Sequence, residues 1–314
     1  MNEVTQSEDV LLDSFCRDLG LEVVYPGRGK VTLDTYSVCR PGLQLAGYFK
    51  FFESERILVL GNAEYEFLRD LTSEVRRERL REILSFQLEG NVFHCICRHR
   101  MARDLPVVPE MIEEARKVAC PILRSDRMTT TIINDLFLYL NRKLAPSTTM
   151  HGVLMDVSGV GILLTGHSGI GKSETAMELI KRGHRLVADD SVIVRKIMDS
   201  LVGTSPEMIR YFMELRGIGI INIKNMFGSG TLLNEKEIEL VMELENWEEG
   251  KAYDRLGEGS MYENILGVNV LKHTVPVKPG RNLSIIIEVA ARNFRLKSMG
   301  YDAAQELIGR TIGR

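Results

Sequence analysis

Hydrophobic and polar residues alternate along this chain in two rhythms, one set by strands and one by helices. "RILVLGNAEYEFLRDL", Arg56 to Leu71, is a short apolar run, a turn signal and a helical pattern, with Asn62 as the expected N-cap. "NVFHCICRH" and "CPILRS" have strand character, and "PEMIEEARKVA" has helical spacing. "TTTIINDLFLYLNRKL" predicts a long helix, which "APSTTM" breaks. Next, "VLMDVSGVGILLT" predicts a hairpin that turns on Ser158 and Gly159, so that Val157 faces Val160 and Met155 faces Ile162. Continued outward, that register puts His151 opposite Gly166. "KSETAMELIKR" is a helix with Gly183 as its C-terminal cap. Strands and helices alternate throughout, so the fold class is α/β. We expect two domains, residues 1–129 and 130–314, with 130–150 as a linking helix and loop.

Composition narrows the class. Of 314 residues, 44% are hydrophobic and 26% charged, which is ordinary for a globular protein. A net charge of −3 gives no basis for binding nucleic acid over a broad surface. The start "MNEVTQSEDV" is not a secretory signal, and no apolar run is long enough to span a bilayer. Five cysteines are too few, and odd in number, for a disulfide framework. The expected setting is cytoplasmic, with no membrane partner. His94, Cys95, Cys97 and His99 form a tempting ligand cluster, but they lack a distant second pair, and buried strand cysteines are the plainer explanation. "YFKFF", Tyr48 to Phe52, is read as a packed strand or sheet edge rather than a base-stacking patch, because no wider basic surface surrounds it.

The chemistry concentrates at "GHSGIGKS". Gly166, His167, Ser168, Gly169, Ile170, Gly171, Lys172 and Ser173 satisfy the G-x-x-x-x-G-K-S/T phosphate-loop pattern, between an apolar strand and a helix as the motif requires. Glycines let backbone N–H groups converge on phosphate oxygens, and the helix N-terminus adds positive potential. Lys172 is placed to reach the β- and γ-phosphates, and the Ser173 hydroxyl to reach Mg²⁺. "HRLVADD" brings an apolar strand to an acid pair, Asp189 and Asp190. One can serve a metal or its waters while the other faces an acceptor; the bland alternative is that both cap a turn. On spacing alone, His151 is more often a strand-end residue than a catalytic one. "DRLG", Asp254 to Gly257, matches a GTPase-like D-x-x-G, but no N-K-x-D follows it.

At this point the chain resembles the HPr kinase/phosphorylase family. The resemblance rests on "HGVLMDVSGVGILLTGHSGIGKSETAMELIKRGHRLVADD", "MELRGIGIINI", "YDRLG" and "PVKPGRNLSIIIEVAARNFRLK", and more weakly on "RPGLQLAGYF". It implies a catalytic P-loop domain similar to that of phosphoenolpyruvate carboxykinase, a first domain like one of the Mur ligases, and a homohexamer. It also implies an activity: ATP or pyrophosphate with Mg²⁺ phosphorylates one serine of the phosphocarrier HPr, in control of carbon catabolite repression. In reverse, inorganic phosphate attacks the phosphoserine and pyrophosphate leaves. Carried over by position, His151, Lys172, Asp190 and Arg255 are the active-site residues, with Asp190 handling the serine proton, and Ser173 and Glu214 are the metal ligands. The stretch Met213 to Asn222, with Arg216, Gly217 and Gly219, serves both directions, and Pro276 to Arg281, with Lys278 and Arg281, is linked to phosphorolysis. Two rivals remain: a small-molecule kinase or carboxykinase-like enzyme, and a non-catalytic nucleotide sensor.

Overall fold

A computed structural model describes residues 4–5, 10–53, 55–85, 94–97, 107–251, 253 and 261–312. Contacts divide the chain into two α/β units, Ser7–Ala145 and Met1–Gln6 with Pro146–Arg314. No helix among the described residues is long and apolar enough to cross a membrane.

The first unit is built on a five-stranded sheet in the order Glu22–Tyr25, Ile122–Ser125, His94–Cys97, Ile57–Leu60, Val38–Cys39. Its pairs are parallel except for the antiparallel edge at Glu22–Tyr25. Strand Ile57–Leu60 is buried on both faces. Ile57 and Val59 pack into one apolar cluster, and Leu58 and Leu60 into another, as the two-residue period of a strand requires. Helix Thr129–Lys143 closes the first cluster with Ile132, Leu136 and Leu140, each without solvent exposure. That helix is therefore part of the first unit rather than a link, and the boundary falls after Ala145 instead of after residue 129.

Two local expectations also shift. The helix after Leu60 has Gly61 as its N-cap and Asn62 as its first residue. Glu64 accepts the Gly61 N–H at 2.9 Å, so the orphan donor is satisfied from within the first turn. Residues 48–52 form a turn, not a strand, with Phe51 at φ 62°. His94–Cys97 is a strand as expected. Whether its side chains hold a metal lies outside the described residues.

In the second unit the elements that build the sheets and the site include β1 (Ser147–His151), β2 (Val153–Val157), β3 (Val160–Thr165), α1 (Lys172–Lys181), β4 (Arg185–Ala188), β5 (Ser191–Ile197), β6 (Ser200–Thr204), β7 (Phe212–Leu215), β8 (Gly219–Asn222), β9 (Glu235–Glu237), β10 (Leu240–Asn246), β11 (Met261–Ile265), β12 (Val268–Val277) and α2 (Leu283–Ser298). A six-stranded sheet has the order β4-β2-β3-β10-β12-β11, and three of its four inner strands, β3, β10 and β12, run parallel. One face carries Val153, Met155, Ile162 and Leu164 against Leu179 and Ile180 of α1 and Ile287 and Ala291 of α2. The other face carries Leu154, Leu163 and Val241 against Val192, Val194 and Leu201 of a second, five-stranded sheet that contains β1, β5, β6 and β9.

The β2–β3 hairpin has the expected register, with Ser158 and Gly159 both at positive φ in the turn. The ladder ends at Val153 and Leu164. His151 does not continue it. At Gly152 the chain leaves one sheet for the other, and His151, at the end of β1, pairs with Ser191 of β5. A Cβ at Gly152 would lie 2.6 Å from the Leu164 carbonyl, so the crossing depends on glycine.

A tighter approach occurs at Gly161, where a Cβ would fall 1.7 Å from the Glu237 carbonyl oxygen. Backbone cannot yield there as a flexible side chain can. Gly161→Ala is expected to destabilise this unit by about 3 kcal/mol, seen as an earlier melting transition. An unchanged transition would show that the β3–β9 approach is loose.

Candidate active site

The phosphate loop leaves the carboxyl end of β3, where open α/β sheets place their ligands. Gly166, at φ 131°, lies flush against β10, since a Cβ there would be 2.3 Å from the Leu244 carbonyl. Gly169 and Gly171 are also at positive φ. Ile170 turns into the core and anchors the loop. Thr175 Oγ1 donates to the Gly171 carbonyl at 2.7 Å and ties the loop to the first turn of α1. The Lys172 ammonium is buried and donates to the carbonyls of Gly166 (2.9 Å) and His167 (3.1 Å). Burial pulls its pKa down, opposed by the charges of Asp189 and Asp190.

The acid pair lies in the turn between β4 and β5, and its two members have different surroundings. Asp189 is buried. It accepts the Ser173 hydroxyl at 2.9 Å and the Glu214 N–H at 3.3 Å. Burial pushes its carboxyl up to about 6 despite those hydrogen bonds. Asp190 has φ 66° and a side chain that is 71% exposed, with Oδ1 3.0 Å from Nδ1 of His151. The left-handed turn at Asp190 is what separates the roles. One carboxylate faces the loop serine, and the other faces His151 and solvent.

These groups share one open cleft, lined by His151, Ser168, Gly169, Gly171, Lys172, Ser173, Asp189, Asp190, Glu214 and Arg216, and also by Val153 and Glu174. Sequence reasoning missed the last two. Glu174 is an acid in the first turn of a helix, where such residues ordinarily complement the dipole, and Val153 reads as core. Glu214 and Arg216 arrive together from the β7–β8 hairpin, Glu214 from β7 and Arg216 from the turn. Gly217 and Gly219, both at positive φ, shape that turn without lining the cleft. His167 is exposed, with Nδ1 3.0 Å from the Ser168 carbonyl, and does not line the cleft. Lys278 and Arg281 follow the end of β12 and are not among the residues that line the cleft. Lys278 Nζ lies 5.2 Å from the Trp247 ring centroid, and Arg281 donates to the Pro276 carbonyl at 3.1 Å. Arg255 lies outside the described residues.

The donor set suits a hard divalent cation. Ser173, Asp189 and Glu214 present only oxygens, and Mg²⁺ takes one or two carboxylates together with substrate phosphates and water. Among the described residues no three His, Cys, Asp or Glu side chains form a metal cage, so such an ion would be completed by the bound nucleotide.

Asp189 has a consequence for stability. In the unfolded chain its carboxyl would titrate near 3.8, and in the folded protein near 6. The folded form therefore holds the proton more tightly, and stability is lost as pH rises between those values. In metal-free protein, Asp189→Asn is expected to stabilise by roughly 1–2 kcal/mol at pH 7.5, and by little at pH 4. Thermal melts at both pH values, with chelator present, check this. A gain of equal size at pH 4 would refute the burial argument.

The family model described as HPr Serine kinase N terminus matches residues 10–140, and the one described as HPr Serine kinase C-terminal domain matches residues 142–311. An HPr kinase/phosphorylase of Clostridium botulinum is 48% identical over 291 residues, covering 93% of each chain. One from Caldanaerobacter subterraneus is 48% identical over 302 residues, covering 96% of each. The solved structure of the Hpr(Ser) kinase/phosphatase from Coxiella burnetii is 38% identical, with a TM-score of 0.47, and covers 51% of this chain and 97% of that one. With both of its units matched, this chain belongs to the HPr kinase/phosphorylase family.

Proposed function

We propose that this chain is a bifunctional enzyme. It transfers the terminal phosphoryl group of ATP, or of pyrophosphate, to a serine of HPr, and it removes that group by phosphorolysis. The observation that carries this reading is the meeting of the phosphate loop, the Lys172 ammonium and the exposed Asp190–His151 pair in a single cleft. A metabolite kinase would hold its base inside an enclosed pocket. Asp190 is open to solvent, as a base must be when its substrate hydroxyl is carried on another protein.

In the kinase direction, the loop N–H groups and Lys172 bind and orient the phosphate chain. His151, with its proton on Nδ1, holds the Asp190 carboxylate. Asp190 takes the serine proton as the serine Oγ bonds to phosphorus and the bond to the leaving phosphate breaks. In reverse, an oxygen of inorganic phosphate bonds to the same phosphorus, the bond to serine breaks, and Asp190 returns the proton to Oγ. Pyrophosphate is the product. Mg²⁺, held by Ser173, Glu214 and the phosphates with Asp189 behind Ser173, would supply charge neutralisation at the transferred group.

The finer parts of the proposal are supported by family membership alone. They are a catalytic fold like that of phosphoenolpyruvate carboxykinase, a Mur-ligase-like first unit, a cytoplasmic homohexamer and a role in carbon catabolite repression. Arg255, Lys278 and Arg281 keep the roles implied by position. Exposed Ile285, Val289 and Leu296 on α2 support burial of that face in an assembly.

One loop that serves both directions should make inorganic phosphate compete with ATP. Initial-rate kinase assays at several phosphate concentrations are expected to show a rising apparent KM with constant kcat. Purely non-competitive inhibition would mean that phosphate acts elsewhere.

A further inference from the structure

Arg216 is at the tip of the β7–β8 hairpin, two residues beyond Glu214, and its side chain crosses to the phosphate loop. Nη2 donates to Ser168 Oγ at 3.2 Å. A Cβ built on Gly169 would come within 2.4 Å of Nη1 and 2.8 Å of Cζ. The guanidinium therefore occupies the space that a side chain at position 169 would take. Among the described residues no carboxylate within ion-pair distance neutralises it, although it lines the same cleft as four acids, Glu174, Asp189, Asp190 and Glu214.

Lys172 and Arg216 thus hold different parts of the loop. The ammonium is bonded to the carbonyls of Gly166 and His167 at the loop's start, and the guanidinium lies over Ser168 and Gly169 at its apex. An exposed arginine that faces a phosphate loop with no carboxylate partner, and only the Ser168 hydroxyl as a recorded side-chain acceptor, keeps further donors of its fork for a phosphoryl group, and that fork matches phosphate oxygens in pairs. A lysine at the root of the loop and an arginine at its apex divide a phosphate chain between inner and outer groups.

We propose that Arg216 binds the outermost phosphate: the γ-phosphate of ATP in the kinase direction, and the inorganic phosphate that occupies the corresponding place in the reverse direction. Gly169 is then the residue that admits the guanidinium to the loop. This inference rests on the phosphoryl-transfer reading above, and its test is chosen to stand apart from it.

The test is equilibrium binding of Mg²⁺–ADP and of a Mg²⁺-bound non-hydrolysable imido analogue of ATP, measured by calorimetry on the full-length protein. Arg216→Ala should weaken the ATP analogue by ~10-fold or more, the worth of a charge-assisted pair, and change ADP affinity by less than about twofold. Arg216→Lys keeps a charge without the fork and should recover part of the loss. A thermal melt accompanies each variant. If Arg216→Ala melts early, Arg216→Lys alone must still show a selective loss toward the ATP analogue. Equal weakening of both nucleotides, or of neither, overturns the assignment. No acceptor protein is present in this experiment. A selective loss here, combined with failure to phosphorylate HPr, would reject the proposed substrate and leave the Arg216 assignment standing.

Discussion

Asp190→Asn is expected to lower the turnover of both phosphorylation and phosphorolysis by ~10²–10⁴. The substitution keeps the size of the side chain and an acceptor oxygen for His151 Nδ1, which now lies 3.0 Å from Asp190 Oδ1. It removes only the ability to take and return a proton. Nucleotide binding should change little, because no recorded hydrogen bond joins the Asp190 side chain to the phosphate loop, its charge acts on Lys172 only through space, and its exposed carboxylate supports no buried network. The loss should therefore appear in kcat with KM for ATP little altered, the pattern of an interaction made only in the transition state. Both directions must fall together, since one group carries the proton each way. Near-normal turnover in either direction would remove Asp190 from the proton-transfer role, whatever the other direction did.

Lys172→Met should cost ~10²–10³ in kcat, the worth of one preorganised charge beside a developing phosphate anion, and should weaken ATP binding as well. Unlike Asp190→Asn, it combines a rise in KM with a fall in kcat, because the ammonium meets the phosphate before and during transfer. Folding gives a further contrast. Burial holds the Lys172 pKa down, so the folded protein carries this charge at a cost. Methionine fills the same volume without it and should leave the melting transition of the nucleotide-free protein unchanged or higher. The catalytic loss should thus come with an intact fold. A variant that binds and turns over ATP normally would place the phosphate chain elsewhere in the cleft. A variant that unfolds would show that the ammonium's bonds to the Gly166 and His167 carbonyls, rather than phosphate, are its main work.

The local chemistry of the site was legible in sequence, and the long-range pairing was not. The phosphate loop occupies eight consecutive residues whose glycines answer a backbone requirement, and the β2–β3 register follows from a two-residue turn. His151 was brought toward the loop for the wrong reason. The hairpin register would have carried it there, but Gly152 turns the chain into a second sheet, and β5 delivers it to Asp190 instead. No local pattern encodes that pairing. Helix Thr129–Lys143 shows a clear apolar stripe in sequence, yet a stripe says only that one face is buried. Phe15, Ile57 and Val59 supply the partner surface and make the helix part of the first unit. The acid pair was legible as a pair, but its division of labour depends on the left-handed turn at Asp190 and on the Glu214 N–H, which comes from a hairpin far along the chain. Arg216 meeting Gly169 is a tertiary contact of the same kind.

The account is tested most directly by one time course. The protein is incubated with ATP, Mg²⁺ and HPr until phosphoserine stops rising, and excess inorganic phosphate is then added while phosphoserine and pyrophosphate are followed together. The predicted result is phosphoserine on HPr in the first phase. In the second, it falls as pyrophosphate appears in equal amount. Consumption of ATP with no phosphoserine, or loss of phosphoserine with release of free phosphate and no pyrophosphate, would contradict it.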